Sequence, residues 1–332
     1  MMESLIADFP SQLEKALAIG KSLAKQTPKN ELRNIVIAGM GGSGIGANIV
    51  ENIINQEIKL PIQIIKSYYL PASVGKHTLF IACSFSGNTE ETLTTLALAE
   101  ERGANVFAIT AGGKLLEIAQ QKGYPYLQMP NEAPCPRAFL GYSLTQLFFA
   151  LHAYDLIGNS FERSIEATIV FFRDNQAQIR NNAKELAKKL GDKQIIAYAD
   201  QKFEPLLLRL QQQINENAKQ LCHINTVPEM NHNELVGWDK DKAHYQNIVV
   251  LWVRHHREHA RIIKRMQIIQ ELINPKAGQV EVLHASGVNI TEQSLSLIHF
   301  FDWLSFYLAE QNGVDAFAIA PIIHLKDELA KI

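Results

Sequence analysis

Cysteine is scarce in this 332-residue chain: Cys83, Cys135 and Cys222 stand far apart and form no CxxC pair. That excludes a structural zinc framework and fits a reducing compartment. Neither sign of charge dominates, because 32 Lys and Arg face 34 Asp and Glu for a formal net charge of −2. The chain thus lacks the electrostatic footprint of a nucleic-acid or anionic-membrane binder and points to a small molecule as partner. Long apolar runs are missing as well. The longest apolar segment, Ser294–Leu308, is interrupted by His299 and Asp302 and reads as a core helix, not a bilayer span. The opening MMESLIADFP carries an early acid and no basic stretch before a long apolar core, so no signal peptide is expected and the expected location is cytoplasmic. The HHREH stretch, His255–His259, places two histidines four apart, but it is not HExxH and lacks an evident third ligand. It is read as a polar interface or helix start, and no metal is assigned.

What is present in abundance is apolar residues, 47% against 20% charged, enough at this length for a large core and two domains. The organising stretch is Asn34–Val50, NIVIAGMGGSGIGANIV. Ile35–Ala38 suits a strand buried on both faces, five glycines follow, and Ile45, Ile49 and Ile53 resume at helical spacing. Such a turn aims backbone N–H groups and the positive end of a helix dipole at one spot, which suits a phosphate. The dinucleotide fingerprint Gly39-x-Gly41-x-x-Gly44 fails its second requirement, since the next strand, Pro61–Leu70, ends in Lys66 and Ser67 where an acid is needed. A nucleoside triphosphate loop fails too, because Ile45 follows Gly44 where Lys-Ser/Thr is required. The plain structural alternative is a tight strand-to-helix junction without a ligand.

A second turn argues against that alternative. His77–Gly103 reads as strand, polar turn and helix, and the turn crowds Ser84, Ser86 and Thr89 around Gly87. Helix capping by Ser86 or Asn88 needs one hydroxyl, whereas three in six residues beside an independent glycine turn bearing Ser43 favour a bound phosphomonoester. An amphipathic helix over residues 3–26, with Leu13, Leu17 and Leu23 among its apolar positions, precedes the first strand, and Ala104–Thr110 is a further strand before Gly112–Gly113. Strands alternating with helices predict an α/β fold with a doubly wound, mostly parallel sheet. The same order recurs in Lys193–Lys219, His244–Ile273 and Gln279–Asn289. The repeat predicts two similar domains, 1–160 and 161–332, with the linking region near Phe161–Asn182. Both cups are lost in the second copy, where Tyr198-Ala-Asp-Gln replaces the glycines and Arg254-His-His-Arg-Glu the hydroxyls.

GMGGSGIG, SFSGNTEET, PRAFLGYS, NENAK, PEMNHNELVGW and a C-terminal HLKDEL occur in an order that resembles the bifunctional phosphoglucose/phosphomannose isomerases, sugar isomerase (SIS) proteins built of two such domains. The resemblance covers nearly the whole chain. It implies an aldose–ketose isomerase acting on glucose 6-phosphate, and on mannose 6-phosphate, to give fructose 6-phosphate through a cis-enediol, without metal or redox cofactor. It places the phosphate on Gly42, Ser43, Ser84, Ser86 and Thr89, as the residues themselves suggest. It assigns the proton-transferring base to Glu216, the stabilisation of the intermediate to Arg137, and ring opening to His232 and Lys326. His232 would reach the site from the other subunit of a homodimer, in a site lying between the domains.

Each assignment has a plainer reading. The apolar stripe Leu207, Leu210, Ile214, Ala218 and Leu221 buries one face of a helix and turns Glu216 off it, toward solvent or a cleft. His232 by itself is a loop histidine whose ring Asn231 and Asn233 are placed to fix, and Glu234 is the rival base. Arg137 lies in NEAPCPRAFLGYS, where Pro134 and Pro136 bar a helix interior and make a fixed loop; its plainer role is a surface ion pair. Lys326 is otherwise a solvated helix end. The family's threonine-containing segment before the last helix is replaced by DAFAIAP at Asp315–Pro321, which bears on the mannose epimer. An SIS-type regulatory protein that binds a phosphosugar without catalysis is the alternative; it has no need of Glu216, Arg137 and His232 together.

Overall fold

The computed structural model of the chain describes residues 1–132, 135–329 and 331; Pro134, one of the two prolines expected to fix the Arg137 loop, lies outside them. Two compact units are present. The N-terminal unit comprises Ala7–Asp174 with Asn289–Glu292, and the C-terminal unit comprises Asn175–Val288 and Gln293–Ile332 with Met1–Ile6.

The chain opens with α1 (Met2–Ala7) and α2 (Phe9–Lys21), where the sequence predicts one helix over 3–26. Pro10 enters the first turn of α2; it has no N–H to give an upstream carbonyl, so the chain breaks at Asp8 and the helix restarts at Phe9. Leu13 and Leu17 are buried as expected, but Leu23 lies beyond the helix and is half-buried.

The N-terminal unit is then a wound α/β sheet. Strand β1 (Asn34–Ala38) leads into α3 (Gly41–Ile54), then β2 (Ile62–Ile65), β3 (Thr78–Ser84), α4 (Glu90–Glu101), β4 (Asn105–Thr110), α5 (Gly113–Lys122), β5 (Tyr126–Gln128) and α6 (Leu140–Ala153). All pairings are parallel in the order β2-β1-β3-β4-β5. NIVIA, TLFIACS and NVFAIT read as near-continuous apolar runs because both faces of these central strands are covered. Helix α6 is buried almost throughout; Gln146 within it donates to Ala16 O of α2 at 3.0 Å.

Helix α7 (Ser160–Leu190) contains the division between units, after Asp174. Its 31 residues include neither Gly nor Pro, so nothing in the chain stops it at the unit edge. The expected domain boundary at 160/161 corresponds to the start of this helix.

The C-terminal unit repeats the layout with β6 (Gln194–Asp200), α8 (Glu204–Gln213), β7 (Cys222–Val227), β8 (Ile248–Arg254), α9 (Ala260–Ile273) and β9 (Gln279–His284), in the parallel order β7-β6-β8-β9. Helix α10 (Ile290–Gln311) is the predicted core helix, with Leu295, Ile298, Phe301 and Leu304 fully buried. Helix α11 (Ala320–Leu329) closes the chain. In both sheets the second strand in sequence is added on one side of the first and the third on the other, so the order reverses between β1 and β3 and again between β6 and β8. Such switch points open a crevice beyond the carboxyl ends of the strands.

Candidate active site

The predicted phosphate residues meet at the first switch point. β1 and β3 are in register through Ala38 and Ala82, so the turns that follow them lie side by side. In the first turn, Met40 caps α3 without a side-chain hydrogen bond, its carbonyl accepting from Ser43 N at 3.0 Å and Gly44 N at 3.2 Å. Gly41 and Gly42 therefore open the helix with amides that have no partner inside it. A Cβ at Gly39 would stand 2.9 Å from Cys83 O, and one at Gly44 would stand 2.5 Å from Gly39 O; glycine is what lets this turn close against β3. Ser43 hydrogen-bonds the buried Cys83 thiol, whose pKa burial raises to about 12.

In the second turn the capping alternative is not what forms. Thr89 is the N-cap of α4, but its side chain makes no cap bond; Thr89 Oγ1 and Ser84 Oγ lie 2.8 Å apart. Ser84 Oγ also accepts from Gly87 N at 3.1 Å, Ser86 Oγ accepts from Asn88 N, and Asn88 Oδ1 accepts from Lys114 N. The hydroxyls are thus knit to each other and to the turn, and the first amides of α4 stay open. Two uncapped helix starts beside three hydroxyls make an arrangement whose backbone N–H groups and dipoles suit an anion. Lys66, noted in the sequence only as failing the dinucleotide pattern, reaches over the first turn. Its Cε would be 3.0 Å from a Cβ at Gly44, its Nζ donates to Asn48, and burial lowers its pKa.

Arg137 joins the same site. Pro136 does not merely fix a loop: it starts a short 3-10 helix, Pro136–Phe139, a position where its missing N–H costs nothing. Arg137 is buried there, where a surface ion pair was the plainer reading. A Cβ at Gly42 would lie 3.4 Å from Pro136 O and 3.7 Å from Arg137 Cα. Phe139 stacks on Phe85 at 5.2 Å, tying this segment to the hydroxyl turn.

Glu216 lies in the C-terminal unit, in a single π turn, Ile214–Ala218, that continues α8. Such turns recur at functional sites because they re-aim one side chain without ending the helix. Leu207, Leu210, Ile214 and Ala218 form the expected buried stripe, but Leu221 is 82% exposed. The helical spacing ends at Lys219, which adopts the left-handed region with φ 54°. Glu216 is half-buried while its neighbours are held. Asn215 Oδ1 accepts from Cys222 N at 3.2 Å, Asn217 donates to Ser305 Oγ at 2.9 Å, and Ala218 O accepts from Asn312 at 3.0 Å. One turn earlier Arg209 and Gln213 converge on Asp302 Oδ1 at 2.8 and 2.6 Å. This support was only half legible. NENAK marks the turn, and Asp302 interrupts an apolar run, but nothing in sequence order says that the two meet.

His232 ends a short 3-10 turn after β7 and is exposed. Its neighbours do not fix the ring as expected: Asn231 Oδ1 accepts from Arg265, and Asn233 donates to Glu229 and accepts from Glu234 N. The rival base, Glu234, is committed elsewhere. Tyr198 Oη donates to its Oε1 at 2.5 Å, while His223 Nε2 at 2.9 Å and Asn225 bond its Oε2. Burial pushes its pKa up, but these bonds outweigh burial and hold it below the ordinary carboxylate value. A carboxylate held ionised by three donors is a poor proton acceptor.

Lys326 is exposed on α11, none of whose described residues is buried. His255 and His259 do not share a helix. His259 caps α9 by accepting from Arg261 N at 3.1 Å. His255 is buried at the second switch point, stacked on Phe203 at 4.2 Å with Nε2 3.4 Å from Asp200 Oδ2. The second crevice is occupied by these side chains. Among the described residues no group of His, Cys, Asp and Glu is arranged to hold a metal ion, and no helix is long and apolar enough to cross a membrane.

Comparison with known proteins agrees with this layout. The family model described as "Bacterial phospho-glucose isomerase C-terminal SIS domain" matches residues 179–329. The chain is 34% identical to the bifunctional phosphoglucose/phosphomannose isomerase of Caldicellulosiruptor bescii, covering 100% of this chain and 99% of that one. It is 30% identical to the protein of the same name from Aquifex aeolicus, covering 90% and 91%. Among solved structures, the C-terminal domain of glucosamine-fructose-6-phosphate aminotransferase from Francisella tularensis superposes with a TM-score of 0.75 at 13% identity, covering 96% of this chain and 98% of that one. At that identity the likeness is one of fold alone.

Proposed function

This chain belongs to the family of bifunctional phosphoglucose/phosphomannose isomerases, and from that membership we propose that it interconverts glucose 6-phosphate and mannose 6-phosphate with fructose 6-phosphate. The observation that carries the reading is the paired uncapped turns at the β1–β3 switch point with Arg137 beside them. They suit a phosphomonoester seated on amides and hydroxyls, with the buried Arg137 next to the first turn as the cation to meet charge that develops on the sugar.

His232 and Lys326 open the ring by moving a proton between the anomeric hydroxyl and the ring oxygen. Glu216 then takes the C2 proton, the electrons of the broken C–H bond form the C1–C2 double bond, and the carbonyl oxygen gains the charge that Arg137 stabilises. A proton passes from the C2 hydroxyl to O1, and return of the abstracted proton from Glu216 to C1 then gives the ketose with its carbonyl at C2. Because the cis-enediol has no stereocentre at C2, glucose and mannose phosphates converge on one intermediate. We place the reaction in a cytoplasmic homodimer in which His232 acts on the partner's substrate. The ionised, triply bonded Glu234 supports Glu216 as the base.

The test is fructose 6-phosphate formation by purified protein from glucose 6-phosphate and, separately, mannose 6-phosphate, with a chelator present and Glu216→Gln as control. Turnover of both, lost in the variant, is expected. Turnover of glucose 6-phosphate alone would point to the DAFAIAP segment, which lacks the threonine. Binding without turnover would replace the isomerase with a phosphosugar-binding protein.

A further inference from the structure

Three backbone carbonyls from two segments far apart in the sequence are gathered by one side chain. Lys219, which closes the π turn, donates from Nζ to Glu216 O, Asp315 O and Ala318 O, each at 2.7 Å, with Asn217 O at 3.4 Å. An ammonium carries three N–H groups, so the three short contacts match its donor number and fix where it sits. Two of the acceptors lie in the π turn. The other two lie in the connector from α10 to α11, whose local bonds are short-range: Phe317 N to Asp315 Oδ1 at 2.8 Å and Ala318 N to Asp315 O at 3.3 Å. Helix α11 buries none of its described residues, so apolar packing does little to place it. This ammonium, with buried Ala316, contributes to positioning the connector and with it the start of α11.

We infer that Lys219 is a positioning residue that couples the turn bearing Glu216 to the connector of the helix bearing Lys326. One cation then supports both groups, and movement of α11 is felt at the turn through the carbonyl of Glu216 itself. The left-handed backbone at Lys219 fits this role, since a continued helix would carry the side chain away from the connector. The kinetic side of the inference rests on the isomerase reading; the coupling does not.

The test uses Lys219→Met, which keeps most of the stem and removes the charge, and Lys219→Ala, which leaves room for a small cation. Amide exchange is expected to accelerate about tenfold in both 214–218 and 315–329 of Lys219→Met, with the rest of the chain and the melting temperature near wild type. In turnover, kcat should fall by about 10–100-fold while KM moves less than about threefold. Methylammonium should restore part of the lost kcat to Lys219→Ala and none to wild type. Unchanged exchange in either segment would overturn the coupling, as would acceleration spread through the whole C-terminal unit with a lowered melting temperature. Should wild type prove inactive, the exchange experiment still decides the coupling, so failure of the isomerase reading is told apart from failure of this one.

Discussion

Glu216 and Glu234 are close in sequence and opposite in circumstance. The first stands half-buried on a turn whose neighbours are all tied down, and the second is locked between Tyr198, His223 and Asn225. Glu216→Gln should therefore lower kcat by about 10²–10⁴-fold while leaving phosphosugar affinity near wild type, as removal of a proton-transfer group does. Glu234→Gln keeps that group and should lose about tenfold or less, through a looser turn around His232. Steady-state kinetics of the two variants side by side decides between them. Gly87 is a residue of the other kind, needed for the space it leaves. It has φ 69°, and a Cβ there would stand 1.7 Å from Gly112 O. Gly87→Ala should destabilise the protein by at least about 1–3 kcal/mol in urea denaturation and weaken binding of inorganic phosphate to the folded fraction. The hydroxyls around Gly87 could be read from the sequence because phosphate chemistry demands a recognisable set of residue types. The Gly112 contact could not, because it depends on how two turns stack.

At the scale of elements, α10 is the member on which the turn bearing Glu216 leans. Asp302 accepts from Arg209 and Gln213, with the Arg209 and Asp302 side chains only 1% and 5% exposed. Removing one partner of such a pair strands the other without water. Asp302→Ala should therefore lower the unfolding free energy by about 3–5 kcal/mol, read by chemical denaturation. His299, one turn earlier, is almost wholly buried and bonded by Trp303 Nε1 at 3.2 Å; burial lowers its pKa to about 3 from an ordinary 6.5. Between those values the unfolded chain binds a proton that the folded chain refuses. This contribution to stability is full above pH 6.5 and is lost as the pH falls toward 3, at no more than about 1.4 kcal/mol per pH unit. His299→Leu should flatten the fall in denaturation midpoint between pH 7 and pH 4.

Elements were the most legible level. Apolar runs between turn-forming residues gave the alternation of strands and helices, since a strand covered on both faces must be apolar along its whole length. The misreadings fell where a local event ends a periodic pattern: Pro10 restarting a helix, and Lys219 leaving the helical region so that Leu221 falls outside the stripe. Periodicity continues on paper where backbone geometry has already stopped it.

For the whole molecule, the repeat was visible as a recurring order of elements, whereas the continuous helix α7 through the division was not, because amphipathic spacing gives no sign of which unit a face belongs to. The proposal that His232 serves the partner's substrate belongs to this scale and has a direct test. Mixing inactive His232→Ala with inactive Glu216→Gln, under conditions of subunit exchange, should recover about a quarter of wild-type activity: half the dimers are mixed, and each of those has one intact site. No recovery would place His232 and Glu216 on the same subunit's substrate.

The two units share a strand order but not an appetite. One switch point ends in open amides, while the other is closed by Asp200, His255 and the ring of Phe203. An anion arriving at the second crevice meets the Asp200 carboxylate and a ring stack where the first offers open amides. A chain that looks like two phosphate-binding folds in tandem should therefore bind one phosphate group per chain, so that a sugar bisphosphate gains no second seat from the duplication.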